Sequence, residues 1–337
     1  MTKISIQQSV TYKQKEVILL RLTNTSGSYI EISNYGASIV SIVVPNKEGV
    51  GKNVILSYNN LEDYFCDMFY LGSTIGRYAN RISNGRFTLN GQTYQTDRND
   101  GQNSNHGGYN GFNTKIFDYR INENNVIFYI ESPDGEGGFS GNLKLSVTYF
   151  FSDNNELSIE YKALSDKATP VNFTNHSYFN LNIQNNDILD HELQVNATQY
   201  LEMNDEFLPI GKICSVTNSA FDFREYKPIG KMAQLKKDNL KGYNAYFIKD
   251  PDTATPIASL REKVSGRIVD VYTSMPGIQI YTGDFLEGNF VPFGGICLEA
   301  QYHPDGVNHP CFETNILTAN EEKSDFIRFK FSCKPSK

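Results

Sequence analysis

The feature that most limits what this chain can become is a two-residue alternation of apolar and polar side chains, interrupted by tight turns. Leu143, Leu145, Val147 and Tyr149 alternate up to the turn Ser152-Asp153-Asn154-Asn155, and Leu157, Ile159, Tyr161 and Ala163 alternate back. Successive side chains of a strand point to opposite faces, so this spacing predicts a half-buried antiparallel hairpin. Arg86–Thr96 repeats the pattern: Phe87 and Leu89 precede Asn90-Gly91, and Tyr94 follows. Asn-Gly suits a two-residue hairpin turn because both positions must take positive φ. Further strands are expected in 29–44, 116–131, 191–203, 267–272, 279–281 and 326–331, with short helical turns over 60–67 and 231–239. No long internal repeat and no Pro/Ser-rich linker divides the chain. The expectation is all-β: one large antiparallel β-sandwich over residues 1–337 with few short helices.

Composition narrows the function. The net charge of −7 and the absence of a basic run argue against nucleic acid or an anionic membrane as partner. With 21 Tyr and 22 Phe the chain is too aromatic to be disordered. The start MTKISIQQSV lacks an apolar leader, and no run is long enough to span a bilayer, so a cytoplasmic protein is expected. The five cysteines form no Cys-x-x-Cys pair and are expected to be buried free thiols. No local His pair suggests a metal site.

Four polar clusters interrupt the strand pattern: Ile75–Gly85, Asn103–Gly108, Asn172–Leu181 and Ile296–Pro310. Each sets His, Arg or Glu beside Gly or Asn, as where a scaffold presents functional groups. His106 lies next to Gly107-Gly108, whose backbone can approach a ligand closely. His176 sits in an aromatic stretch, where it is either a satisfied core histidine or a functional one. Glu299 follows the apolar run Gly295–Leu298. Partial burial there would raise its pKa and make it a better proton acceptor near neutrality. The alternative is a half-buried ion pair with Arg81.

Taken together, these clusters resemble the aldose 1-epimerase (galactose mutarotase) family. The resemblance rests on Gly76–Ile82, Asn103–Gly108, Thr174–Leu181, Pro276–Gly283 and Leu298–Asn308, in order along most of the chain. It implies a supersandwich that interconverts the α and β anomers of free aldoses such as glucose and galactose, with no cofactor. It aligns His176 with the general acid and Glu299 with the general base. Asn80, Arg81, His106 and Gln279 align with positions that hold sugar hydroxyls or the ring oxygen. The chemistry suits these residues: a carboxylate takes the proton of the anomeric hydroxyl while an imidazolium on the opposite side protonates the ring oxygen. The aldehyde then rotates, and reclosure reverses the roles. Tyr78, Tyr178 and Phe285 are candidate stacking faces.

One position departs from the family pattern. In Gly242–Phe247, Asn244 stands where the family usually has an aspartate that binds a hydroxyl, and Ala245 where it has histidine. Asn244 can accept a hydrogen bond but lacks the charge. Two other readings remain at this stage. One keeps the fold and acts on a disaccharide such as maltose or on a sugar phosphate, with Arg77 and Arg86 as the extra cations. The other is a sugar-binding or sensing protein without catalysis. Neither the preferred sugar nor the oligomeric state is legible.

Overall fold

A computed structural model describes residues 2–182, 186–230, 242–251 and 254–333. Three antiparallel sheets dominate. The first is a five-stranded meander whose spatial order follows the chain, from Lys3–Tyr12 to Gly51–Asn53. The second has nine strands, with Leu143–Phe151, Glu156–Ser165, Lys323–Cys333 and Arg267–Thr273 as successive neighbours. The third has six: Tyr178–Phe179, Ile296–Gln301, Gly277–Tyr281, Asn244–Ile248, Gln199–Met203 and Pro209–Ser215.

The expected hairpins form in the expected register. Leu145 faces Ala163 and Val147 faces Tyr161, and all four side chains are buried. At Asn90-Gly91 φ is 52° and 79°, so the turn has the positive φ at both positions that Asn-Gly allows. Three expected strands are each divided in two. Residues 29–44 break at Gly36-Ala37, where φ is 67° and 43°. Residues 116–131 turn at 122–124. In 191–203, Glu192–Val195 joins the nine-stranded sheet and Gln199–Met203 the six-stranded one. Alternation continues through such breaks because both halves bury the same kind of face, so periodicity alone cannot locate them. The 60–67 segment is a 3₁₀ turn, Leu61–Cys66; the helical turn expected at 231–239 lies outside the described residues. Among those residues no helix is long and apolar enough to cross a membrane. Among the described residues no cysteine forms a disulfide, but only Cys297 is buried, while Cys66 and Cys311 lie at the surface.

The core holds one face of all three sheets, including Ile30, Val147, Ile159, Leu298 and Phe329. A second kind of anchor is Arg77. Its guanidinium is buried and donates to the carbonyls of Ser132, Pro133, Ser140 and Gly141 and to Ser132 Oγ. It pins the 132–141 loop, which in turn supports the turn after His106: a Cβ on Gly137 would lie 3.2 Å from the Gly107 carbonyl. Burial lowers the Arg77 pKa to about 10, so the group remains charged at neutral pH. Arg77→Ala leaves several buried carbonyls without donors, each costing about 1–3 kcal/mol. Urea unfolding of that variant should show a loss of at least about 3 kcal/mol.

Candidate functional site

The six-stranded sheet owes its chemistry to alternation on both faces. On one side Ala245, Phe247, Ile278, Ile280, Leu298 and Ala300 enter the core. On the other, Gln279 and Tyr281 stand beside Cys297 and Glu299, with Gln279 directly opposite Glu299 and Tyr281 opposite Cys297. Glu299 therefore lies inside a strand whose six residues are all buried.

His176 comes from another direction. Thr174–Asn175 pairs with Thr74–Ile75, the His176 N–H donates to the Ser73 carbonyl, and the His176 carbonyl accepts from Gly72 N–H. The ring is thereby held over the Ile296–Gln301 strand. Its Nδ1 lies 3.5 Å from Cys297 Sγ and its Nε2 lies 3.7 Å from Glu299 Oε1. The imidazole thus spans two side chains two residues apart on one strand face. The carboxyl and imidazole are side by side, not on opposite flanks of a ring-sized gap as expected.

Burial dominates the electrostatics. It pushes Glu299 up to about 8, against a smaller opposing pull from the Arg81 charge. It pushes His176 down to about 4. It also raises the Cys297 thiol well above its ordinary range. Among the described residues Glu299 Oε2 has no hydrogen-bond partner. The ion pair between Glu299 and Arg81, the alternative reading of the sequence, does not form: Arg81 Nε donates to Asp100 Oδ2 at 2.7 Å. At neutral pH the pair therefore carries one proton, on the carboxyl.

The remaining residues close a cavity of about 240 Å³, at the small end of ligand sites. Asn80, Arg81, His106, His176, Asn244, Gln279 and Glu299 all line it, so every expected site residue is brought together. Asn80 and His106 have positive φ (65° and 53°) in facing turns. The Asn80 N–H donates to His106 Nδ1 at 3.2 Å. Burial, then the nearby His176 and Arg81, keep His106 neutral. Its one ring proton is therefore on Nε2, a donor. Of the candidate stacking faces, Tyr178 and Phe285 line the cavity, whereas Tyr78 is core, packed with Ile82, Phe87 and Phe139.

Three contributors escaped the sequence reading. Cys297 was legible in principle, two residues before Glu299 on the same face. Tyr281 was legible in the same way from Gln279. Tyr70 was not: it sits in an irregular loop at φ 59°, with its ring 4.7 Å from that of His106 and 5.6 Å from that of His176. His176, Cys297 and Glu299 also bring possible metal-ligating atoms within 4.8 Å of one another. The thiol and the carboxylate face different ring nitrogens, so an ion shared by all three would require one of them to move.

An all-β scaffold holding a buried carboxyl beside an imidazole at the floor of a polar cavity is the architecture of a proton-transferring isomerase. The aldose 1-epimerase family model matches residues 19–330, and the chain belongs to that family. It is 39% identical over 313 residues to mouse galactose mutarotase, covering 90% of this chain and 91% of that protein. It is 35% identical over 335 residues to Escherichia coli aldose 1-epimerase, covering 93% and 94%. Among solved structures, galactose 1-epimerase from Lactobacillus acidophilus is 30% identical and aligns with a TM-score of 0.87, covering 99% of each chain.

Gly107 tests how far the site depends on its turns. Its φ is +87°, and an added Cβ would lie 2.1 Å from the Gly76 carbonyl oxygen. Gly107→Ala must shift backbone next to His106, at a cost above about 2 kcal/mol. Urea unfolding should show that loss, and calorimetry should show weaker sugar binding.

Proposed function

We infer that this protein is an aldose 1-epimerase that interconverts the anomers of a free hexose, with Glu299 and His176 exchanging protons with the anomeric and ring oxygens. The observation that carries the role assignment is their adjacency. Both oxygens are bonded to C1, so acid and base must reach the same end of the sugar, which a 3.7 Å pair at one cavity wall can do. Ring opening starts once the resting proton has passed from Glu299 to His176, which leaves the Glu299 carboxylate to take the proton of the anomeric hydroxyl. Protonated His176 gives its Nε2 proton to the ring oxygen as the bond from C1 to that oxygen breaks. The aldehyde turns about the bond from C1 to C2. Protonated Glu299 and neutral His176 then reclose the ring on the other face. Each step conserves the one proton that the pair carries. In the empty site that proton rests on Glu299 because neither group then holds a buried charge. His106, Arg81 and Asn244 surround the other hydroxyls.

A specific observation favours a larger substrate as the second reading. A further cavity of about 380 Å³, lined by Phe207, Asp205 and Glu206, shares Arg81 and Phe285 with the first. It has room for the second ring of a reducing disaccharide. The sugar-phosphate reading loses Arg77, whose guanidinium is spent on backbone carbonyls. A binder without catalysis has no need of a buried carboxyl and imidazole side by side. Cysteines that form no disulfide among the described residues fit a reducing, cytoplasmic setting, and we read the whole chain as one domain.

Polarimetry on fresh α-galactose and α-glucose tests the activity directly. His176→Ala and Glu299→Gln should each lower the enzymatic rate by about 10²–10⁴-fold. Activity retained by both variants would overturn the roles. Maltose in the same assay tests the larger cavity.

The pH profile follows from the shared proton. Below about 4 His176 gains a second proton and the base is lost; above about 8 the pair loses its only proton and the acid is lost. After subtraction of buffer catalysis, kcat/KM should form a bell between those limbs, and Glu299→Gln should remove the alkaline one.

A further inference from the structure

We propose that a chain of side-chain amides, Asn80–Gln279–Asn244, fixes the direction of hydrogen bonding at the cavity wall, so that Asn244 offers the sugar an N–H donor. The inference rests on the sugar-site reading above. The chain starts at a group whose role is not open to choice. The backbone N–H of Arg81 can only donate, and it points to the Asn80 side chain at 2.9 Å, so the atom it meets is Oδ1. Asn80 Nδ2 must then be the atom facing Gln279, and it donates to Gln279 Oε1 at 3.2 Å. That turns Gln279 Nε2 toward Asn244, where it donates to Oδ1 at 2.6 Å. Each planar amide passes the direction on, since one end donates and the other accepts.

Asn80 and Gln279 are buried, at 6% and 3% exposure, and their polar ends are occupied by one another, by the Arg81 N–H and by Asn244. They are positioning residues. Asn244 is half-buried at the start of its strand and lines the cavity. With Oδ1 held by Gln279, its Nδ2 is the group left for a ligand, and among the described residues it has no acceptor. His106 presents its Nε2–H into the same cavity. A substrate is therefore recognised at this wall by oxygens that accept, and the Asn244 contact does not require the sugar to supply a proton.

Deoxyfluoro sugars read this directly, since carbon-bound fluorine can accept weakly but cannot donate. For each of the 2, 3, 4 and 6 positions of glucose, the kcat/KM of the deoxyfluoro sugar is divided by that of the deoxy sugar. Comparing this ratio between variants cancels both the electronic effect of fluorine and any general loss of activity. In Asn244→Asp a carboxylate replaces the donor, and the ratio should fall about tenfold at a single ring position. Asn80→Asp and Gln279→Glu, in the cavity wall but with both ends of each side chain already engaged, should each lower the ratio at that same position. The new carboxylate can only accept, which reverses the chain and turns Asn244 Oδ1 outward. Unchanged ratios at every position in Asn244→Asp would overturn the donor assignment. A fall in Asn244→Asp with no fall in either relay variant would overturn the chain. Two independent relay variants keep the test open if one fails to fold. Mutarotation of unmodified glucose by the native protein tests the underlying activity separately.

Discussion

Removal from water is the condition on which the rest of the site depends. Glu299 and His176 have their charged forms penalised by the same burial, which moves their proton affinities past each other: the carboxyl upward, the imidazole downward. In water the imidazole would hold a proton more tightly than the carboxyl. Here the neutral pair is favoured, and each member lies close enough to the other for a single sugar end to bridge them. The rings of Tyr70, Tyr178 and Tyr281 pack around the pair on the cavity side of the six-stranded sheet. Leu298 and Ala300 face the core, while Glu299 between them faces the cavity.

Around that pair the wall is built from groups that cannot change charge at neutral pH. His106 is held neutral, Gln279 and Asn80 are amides, and Arg81 has its charge partly balanced by Asp100. Adding another free ion here would disturb the very balance that lets one proton serve two groups. Turn geometry does the placing. Asn80, His106 and Tyr70 all have positive φ, a conformation costly for residues other than glycine and held by the hydrogen bonds of the turns on either side.

Much of this was legible in the sequence, for a physical reason. Alternation reports burial of one strand face, so the Leu143–Phe151 and Glu156–Ser165 hairpin and its register could be read without coordinates. The polar clusters were legible because Asn, His and Glu inside apolar strands are expensive unless used. What could not be read was relative placement. Nothing local distinguishes Tyr78, a core residue, from Tyr178, which reaches the cavity. The side-by-side arrangement of Glu299 and His176 depends on a pairing between segments about 120 residues apart. The orientation of Asn244 depends on a backbone N–H far from it in the chain. Its acceptor, the atom first expected to meet the sugar, is already engaged.

The register of the Ile296–Gln301 strand also limits how this chain can change in length. Gln279 sits opposite Glu299, and Tyr281 opposite Cys297. One inserted or deleted residue would turn Glu299 into the hydrocarbon layer and bring Leu298 or Ala300 to the cavity floor. A change in length is therefore tolerated in the connecting loops and not within these two strands, whose register fixes which side chains reach the cavity.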